Sequence, residues 1–327
     1  MRCLWSVAAL ALLLLFGCGG SSGGDGAAPE PVVTVQEEQC LAAGWQRLVV
    51  PAAGLQRRVL WKAPAAGNGG WSRGAIVVMH GGGGSHTNFC VANVALIQAQ
   101  VRFTDAALAQ GFAVFLLDSH DQVSDEAGRL CGKVWDDEVR SRANVDLPFI
   151  EELLLRALPA RRPAGSSGLV FMTGLSSGGF MTVRAATRFG GHVAAFVPVA
   201  SGDPYGWFRD CTRRAGDRAN VAGVGLDNET RRQIIEPGAC DAAAYPNEKP
   251  WEGAAVTPKP PFRVFHHAED GVLDRSCVEK QRHQLSARGY PEAAPFTLTG
   301  GVRNVDVHFW QEDYNAPLLA WFASFVR

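Results

Sequence analysis

The chain has 327 residues, of which 47% are hydrophobic and 19% are charged. It is therefore too apolar for a disordered protein and long enough for one large domain. Lysine and arginine total 31 against 32 aspartates and glutamates, a formal charge of −1, which gives no electrostatic reason to expect binding of nucleic acid or of an anionic membrane surface. The one long apolar run lies at the extreme N-terminus, so an internal membrane span is excluded.

That N-terminal run predicts export. Residues 4–16 are apolar except for Ser6, and Arg2 precedes them. The run is short for a membrane-spanning helix but has the length of the apolar region of a signal peptide. We therefore expect residues 1–17 to be a signal peptide.

The end of this run resembles the lipobox of bacterial lipoproteins. It reads Leu15-Phe16-Gly17-Cys18, and the resemblance implies cleavage before Cys18 and acylation of that cysteine. Residues 18–40 would then be a lipid-anchored tether, since residues 19–31 are rich in glycine and serine. The alternative is ordinary secretion with cleavage near Gly17 and no lipid.

The number of cysteines supports the lipid anchor. Eight cysteines are present, and none forms a Cys-x-x-Cys pair. Removing Cys3 with the signal peptide and assigning Cys18 to the lipid leaves six, an even number that suits three disulfides in an oxidising compartment. Our predicted pairs are Cys90–Cys131, Cys211–Cys240 and Cys40–Cys277.

Strands and helices are predicted to alternate after residue 41. Trp45–Val50 and Arg57–Trp61 are β-rich runs that we expect to form a hairpin. Ala75–Met79 and Phe112–Leu117 are continuous aliphatic runs, which is typical of buried strands. The residues between them, 91–110, have helical spacing.

The second half repeats this pattern. Ser141–Leu158 is predicted to be helical, with a kink at Pro148. Unalternating strands separated by helices indicate a mostly parallel sheet with helices on both faces. The other predicted strands are Leu169–Thr173, Val193–Val199, Phe262–His266 and Pro295–Leu298, and the other helices Phe180–Phe189, Cys277–Arg288 and Ala316–Val326.

One serine has the sequence context of a nucleophile. Gly174-Leu175-Ser176-Ser177-Gly178 matches the pattern Gly-x-Ser-x-Gly. The pattern alone is weak evidence, because the tether contains it twice, at 19–23 and 20–24. Only Ser176 stands between an apolar strand and a helix, as the strained turn of a nucleophile elbow requires. The alternative is a glycine-rich turn with an incidental serine.

A glycine loop provides candidate donors for an oxyanion. Backbone N–H groups must stabilise the charge of a tetrahedral intermediate. We expect one from Ser177 and the other from His80-Gly81-Gly82-Gly83-Gly84, with Gly82 as the first choice and Gly83 as the alternative. His80 is expected to stabilise this loop.

The acid and the base should follow the serine in that order. Asp270, at the end of a predicted strand, is the leading acid, with Asp274, Glu269 and Asp203 as alternatives. His308, before the last helix, is the expected base. The other histidines are interpreted as structural or surface groups, and none has metal-ligand spacing with a carboxylate, so neither a metal nor a cofactor is predicted.

These motifs resemble the α/β-hydrolase superfamily. The segments MHGGGG, VFMTGLSSGGFMT and FHHAEDGVLD and the late His308 are most similar to its extracellular esterases of the polyhydroxyalkanoate depolymerase and feruloyl esterase type. The resemblance covers roughly residues 45–327. It implies an α/β-hydrolase fold in which Ser176 is the nucleophile, Asp270 the acid and His308 the base.

Residues 202–260 interrupt the strand–helix alternation. They are too many for a plain connection, and in this superfamily such an insertion is commonly a cap over the site. We therefore expect a hydrolase domain over 41–327 with a cap at 202–260. Its aromatic side chains would either line a pocket for an acyl or aromatic group or pack a small core of the insertion itself.

Three functions remain open from the sequence. The first is a serine esterase that acts through an acyl-enzyme on small or polymeric esters, exported to the cell envelope and attached to the membrane only through Cys18. The second is a catalytically silent binding module on the same fold. The third is a serine peptidase, since the segment GLSSGG also resembles the nucleophile elbows of oligopeptidases.

Overall fold

Ten strands and six α-helices alternate along the part of the chain that the computed structural model describes, which comprises residues 33–66, 70–124, 130–137, 143–205, 251–252 and 256–326. The strands are β1 (Gln46–Ala52), β2 (Leu55–Lys62), β3 (Ala75–Met79), β4 (Ala113–Leu117), β5 (Asp121–Ser124), β6 (Leu130–Val134), β7 (Val170–Leu175), β8 (Ala195–Val199), β9 (Phe265–His267) and β10 (Phe296–Leu298). The helices are α1 (Val35–Ala42), α2 (Gln98–Ala109), α3 (Leu147–Glu152), α4 (Ser177–Arg188), α5 (Arg275–Ala287) and α6 (Asn315–Ala323).

Eight strands form one sheet in the order β1-β2-β4-β3-β7-β8-β9-β10. The hairpin of β1 and β2 is antiparallel and joins β4 in an antiparallel pair, whereas the pairs from β4 to β10 are parallel. The mostly parallel sheet is thus confirmed. Because parallel strands present their carboxyl ends at one edge, the loops that follow β3, β7 and β9 meet there.

Both faces of the sheet are buried, which explains the unbroken aliphatic runs in the sequence. In β3, Val77 and Met79 face a core shared with side chains of α3, α4 and α5. Ile76 and Val78 face the opposite core, to which α2 and α6 contribute. A strand covered on both sides has no solvent-facing positions, so its hydrophobicity does not alternate.

Two predicted helices begin later than expected. The helix predicted over 91–110 starts at Gln98, preceded by a 3₁₀ turn at Ala95–Ile97. The predicted kink at Pro148 is wrong, because Pro148 lies in the first turn of α3, after the N-cap Asp146. Proline is tolerated there because the first N–H groups of a helix have no partner within the helix. A π-helical turn, Leu153–Ala157, follows α3.

The folded domain begins before residue 41, within the segment that was predicted to be tether. Helix α1 starts after Thr34, whose side chain caps it, and buries Glu37 and Cys40. Cys40 forms a disulfide with Cys90. A helix that buries two side chains is part of the folded domain, so the predicted domain start at residue 41 is too late.

This disulfide corrects two predicted pairs, Cys90–Cys131 and Cys40–Cys277. No pattern in the sequence indicates that α1 packs against the segment after β3, where the Cα atoms of Cys40 and Cys90 are 5.6 Å apart. Cys277 is also disulfide-bonded, and its partner is not Cys40.

Several predictions lie outside the described residues. They are the signal peptide 1–17, the lipobox cysteine Cys18, the tether residues 19–31, the pair Cys211–Cys240 and most of the insertion 202–260. Among the helices that are described, none is long and apolar enough to cross a membrane.

Candidate active site

Ser176 occupies a strained turn between β7 and α4. Its φ and ψ are 52° and −119°, a left-handed conformation that a serine adopts only where its surroundings enforce it. Its N–H donates to Val199 O at 2.9 Å, which fixes the turn to the end of β8. The residue is the N-cap of α4 and is half-buried. The predicted strand–turn–helix setting is confirmed.

The glycines on either side of Ser176 are required by close backbone contacts. A Cβ on Gly174 would lie 2.4 Å from Gly178 O. A Cβ on Gly178 would lie 2.4 Å from both Met79 O and His80 O. Any side chain at these positions would overlap backbone atoms, so only glycine lets α4 approach the ends of β3 and β7 this closely.

Asp270 and His308 form a buried hydrogen-bonded pair. Their side-chain atoms Oδ2 and Nδ1 are 2.7 Å apart, and both residues are buried. The other carboxylate oxygen of Asp270 accepts the backbone N–H groups of Val272 and Leu273 at 2.7 and 2.9 Å. An ionised carboxylate can only accept, so Nδ1 of the imidazole carries the proton and Nε2 is the basic nitrogen.

Two of the alternative acids, Asp274 and Asp203, have other side-chain partners. Asp274 caps α5, accepting from the N–H and hydroxyl of Ser276 at 2.9 and 2.7 Å and from Arg303 at 3.0 Å. Asp203 accepts the backbone N–H of Tyr205 at 3.0 Å. For Glu269, the structure shows its backbone N–H donating to Nδ1 of His267 at 3.1 Å. Of the four predicted acids, Asp270 alone contacts His308 among the side chains that the structure describes.

The serine and the acid–base pair lie at the same edge of the sheet. Ser176 follows β7 and Asp270 follows β9, with β8 between them. Two strand spacings correspond to about 10 Å, the gap that an imidazole must bridge. Within the described ranges the Ser176 hydroxyl forms no hydrogen bond, so its contact with His308 is not made in this structure. Catalytic hydrogen bonds of this kind are often long without substrate and shorten when it binds.

Two backbone N–H groups next to Ser176 are candidate oxyanion donors. Ser177 is the first residue of α4, and Gly82 lies beside it, with an added Cβ only 3.7 Å from Cβ of Ser177. Neither N–H donates to any group in the described residues. The alternative donor Gly83 is excluded, because its N–H donates to Lys133 O at 2.7 Å.

His80 holds the glycine loop, as predicted. Its Nε2 accepts the N–H of Ser119 at 3.2 Å, so its Nδ1 carries the proton and donates to Gly81 O at 2.8 Å. Burial, only partly offset by the charge of Asp118, lowers the pKa of His80 to about 4. The ring is therefore neutral near neutral pH and its position is fixed by hydrogen bonds at both nitrogens.

Asp118 is the centre of a buried charge cluster beside this loop. Burial alone would raise its pKa, but the contact with His86 and the charges of Lys133 and Arg58 outweigh that effect and hold the pKa well below its usual range. His86 Nδ1 lies 3.2 Å from Oδ1, and Arg58 Nη2 lies 2.8 Å from Oδ2. Lys133 also pairs with Oδ2, which links the cluster to β6.

Two residues at the site, Trp135 and Asp137, are not predicted from the sequence. The Ser177 hydroxyl donates to Asp137 Oδ2 at 2.5 Å and accepts the backbone N–H of Trp135 at 3.1 Å. Both follow the short hairpin of β5 and β6, which the sequence did not predict. Asp137 and Ser177 are 40 positions apart in the chain. The only sequence signal for this contact is the pair Asp136-Asp137 directly after two apolar residues.

The described ends of the insertion pack into the main core. Tyr205 and Trp251 have ring centroids 4.0 Å apart, and Trp251 lies 6.0 Å from Tyr290. Arg184 on α4 binds Glu252 through two hydrogen bonds of 3.0 and 2.7 Å. These aromatic side chains serve packing, whereas the role of the insertion's other aromatic residues stays a prediction. In the described ranges, no group of His, Cys, Asp and Glu side chains could hold a metal ion.

No protein-family model and no curated protein matches the chain. Several solved structures are similar to it. It is similar to an acylaminoacyl peptidase of Pyrococcus horikoshii, with a TM-score of 0.54 and 12% identity over 86% of this chain and 42% of that one. A puromycin-hydrolysing peptidase of Mycobacterium tuberculosis gives a TM-score of 0.53 and 16% identity, covering 86% of this chain and 40% of that one.

An esterase of Pyrococcus furiosus matches over nearly its whole length, with a TM-score of 0.51, 12% identity, and coverage of 91% of this chain and 96% of that one. In contrast, this chain spans about two fifths of the length of the acylaminoacyl peptidases it matches. Together these likenesses show the fold, which is the α/β-hydrolase fold.

Acidification is expected to destabilise the protein between pH 6.5 and 4. Burial is the main cause that lowers the pKa of His80, and that of His266, to about 4 from a usual 6.5. In this window the unfolded chain binds protons that the native protein does not, so the free energy of unfolding falls as the pH falls. Between pH 6.5 and 4.5 the decrease is roughly 2 kcal/mol for each histidine.

Urea unfolding at both pH values measures this decrease. The variant His266→Leu should lose part of it, whereas His283→Gln, which alters an exposed histidine, should retain all of it. A free energy of unfolding that is the same at pH 6.5 and 4.5 would show that these histidines are not buried in their neutral form.

Proposed function

We propose that this protein is a serine hydrolase that cleaves carboxylic esters through an acyl-enzyme. The observation that carries the proposal is the strained Ser176 at the carboxyl edge of the sheet, which it shares with the hydrogen-bonded pair of Asp270 and His308. A strained serine and a buried acid–base pair cost stability and are typical of a catalytic site.

Each group has a defined role in this reaction. The Ser176 oxygen attacks the ester carbonyl carbon while Nε2 of His308 takes its proton, and Asp270 stabilises the resulting imidazolium. The carbonyl oxygen becomes an oxyanion that accepts the N–H groups of Gly82 and Ser177. The alcohol then leaves with the proton from His308, and water releases the acyl group by the same steps in reverse.

The second candidate is a serine peptidase, which would use the same groups on an amide. It is supported by the acylaminoacyl and puromycin-hydrolysing peptidases among the similar structures. The ester proposal is supported by the esterase of Pyrococcus furiosus, which matches this chain along nearly its full length. The finer proposal of a polyester or aromatic-ester substrate rests on the sequence resemblance alone.

An organophosphonate probe tests the nucleophile. Wild-type protein should gain one adduct by intact mass, located on Ser176 by peptide mapping, because the elbow exposes an activated hydroxyl. Ser176→Ala should stay unlabelled with an unchanged melting temperature, and heat-denatured wild type should also stay unlabelled. Folded wild type that takes up no label would contradict the hydrolase proposal and favour the binding module.

Comparing a short-chain nitrophenyl ester with a peptide anilide then separates the two hydrolase candidates. The ester proposal expects the ester to be turned over and the anilide to be left intact. Efficient cleavage of the anilide would make the peptidase the better description.

Asp270→Asn is expected to lower kcat/KM for the ester by roughly 10³–10⁴-fold. The amide oxygen can still accept from Val272 and Leu273, so the loop is preserved. The amide nitrogen, however, faces Nδ1 of His308 and favours the tautomer that has no basic Nε2.

Asp274→Ala is the matched control. This residue caps α5, so its loss should lower the free energy of unfolding by about 1 kcal/mol and leave the rate within a few fold of wild type. Ester hydrolysis and urea unfolding measure both variants. If Asp274→Ala abolished turnover while Asp270→Asn did not, the acid would be misassigned.

The proposed location is the cell envelope, with the chain exported and anchored through an acylated Cys18. Support comes from the lipobox-like segment 15–18 and from the disulfide Cys40–Cys90, since disulfides persist in oxidising compartments. In a bacterial host fed an alkynyl fatty acid, the full chain should be labelled and found with the membranes. Cys18→Ser should abolish the label, and a label that persists in this variant would exclude Cys18 as the anchor.

A further inference from the structure

Strand β6 and the residues that follow it are bonded to both parts of the candidate oxyanion hole. On one side, Gly83 N–H donates to Lys133 O at 2.7 Å and Lys133 N–H donates to Gly84 O at 2.9 Å. These two bonds fix the glycine loop directly after Gly82. Gly132 allows this approach, because a Cβ there would lie 2.0 Å from Gly83 O.

The same segment is bonded to the end of β3 and to the start of α4. The indole N–H of Trp135 donates to His80 O at 2.8 Å, and its backbone N–H donates to the Ser177 hydroxyl at 3.1 Å. The Ser177 hydroxyl in turn donates to Asp137 at 2.5 Å. Trp135, Ser177 and Asp137 are thus linked by consecutive hydrogen bonds, and Lys133, two residues before Trp135, binds the glycine loop.

The contact of Asp137 with Ser177 is buried, and its acceptor is a carboxyl oxygen. The two residues are 5% exposed each, so water competes little for the hydrogen bond. Hydrogen bonds to an ionised carboxylate are roughly twice as strong as those between neutral groups. The contact therefore restrains the residue whose N–H is one of the two oxyanion donors.

We propose that Lys133, Trp135 and Asp137 together set the spacing between the N–H groups of Gly82 and Ser177, and that Asp137 is a positioning residue for the reaction, acting through the Ser177 hydroxyl. The inference rests on the proposed function, because it concerns the stabilisation of that reaction's oxyanion. Asp137 itself transfers no proton and touches no reacting atom. It fixes a donor, and a donor stabilises a transition state only where it is already in place.

Removing either side of the contact should lower kcat more than it changes KM. The oxyanion forms only in the transition state, so a displaced donor affects chemistry rather than ground-state binding. We expect Asp137→Ala and Ser177→Ala each to lower kcat for the nitrophenyl ester roughly 10–100-fold, with KM within about threefold of wild type. Ser177→Ala retains the backbone N–H and removes only the hydroxyl.

The double variant separates a shared contact from two independent effects. If both residues act through the same hydrogen bond, the double variant should be no slower than the slower single variant. Asp137→Asn should recover most of the lost kcat, because its amide oxygen can still accept from Ser177. Affinity for a boronic acid, which forms a tetrahedral adduct with the nucleophile, should fall in parallel with kcat.

Asp136→Asn is the matched control. Asp136 is also buried, and its carboxylate accepts the backbone N–H of Val145 at 3.1 Å rather than a group of the candidate oxyanion hole. Its replacement should lower the free energy of unfolding without lowering kcat. A loss of kcat as large as that of Asp137→Ala would show a general structural effect and overturn the inference.

Two other results would also overturn it. One is a folded Asp137→Ala, or Ser177→Ala if the first variant does not fold, with kcat within twofold of wild type. The other is a double variant whose loss equals the product of the single losses. If wild type neither hydrolyses the ester nor reacts with the phosphonate, the proposed function fails and the inference fails with it. If wild type is active and the variants are equally active, the inference fails while the proposed function stands.

Discussion

The contact on which the site depends is the approach of α4 to the end of β3. A Cβ on Gly178 would lie 2.4 Å from the carbonyl oxygens of Met79 and His80, so the helix meets the strand backbone with no side chain between them. This packing leaves Ser176 little choice of conformation, and the residue adopts a positive φ. The two buried cores on either side of the sheet maintain this strained conformation, because densely packed side chains cannot rearrange around one residue.

The same approach also brings the two proposed oxyanion donors together. Because α4 begins against His80, the loop that follows β3 must pass beside Ser177, and Gly82 lies there. The neutral, buried His80 binds this loop through Gly81 O and is itself bound by Ser119 N–H, beside the charge cluster around Asp118. The backbone of Lys133 in β6 also binds this loop, through Gly83 and Gly84. Rigid support of this kind is what electrostatic stabilisation of a transition state requires, because donors that must reorganise lose their advantage over water.

The sequence predicted the elements that depend on local pattern. The central strands, the strand–turn–helix around Ser176 and the hairpin of β1 and β2 follow from aliphatic runs and glycine spacing, which act over a few residues. It could not decide between Asp270 and Asp274, because that depends on which of them caps α5. The disulfide of Cys40 was missed for a similar reason. A short segment with modest amphipathicity was interpreted as tether, and only packing shows that it is a helix.

Contacts between distant segments explain the remaining differences. Asp137 and Ser177 are 40 residues apart, and the hairpin that carries Asp137 toward the elbow has short strands with no strong β pattern. Pro148 is predicted to bend a helix, yet it lies in the first turn of one, because the residues before it bind the segment after β6. Asp146 accepts the backbone N–H of Asp136, and the Asn144 amide donates to the carbonyl of Asp136. Such roles are assigned by tertiary structure rather than by propensity.

The most direct test of the account is a crystal structure of the protein after reaction with a phosphonate. The account predicts phosphorus bonded to the oxygen of Ser176, and a phosphoryl oxygen about 2.7–3.1 Å from the backbone nitrogens of Gly82 and Ser177. The imidazole of His308 should lie within hydrogen-bonding distance of the bound group while keeping its contact with Asp270. An adduct on another residue, or a phosphoryl oxygen directed away from both nitrogens, would contradict it.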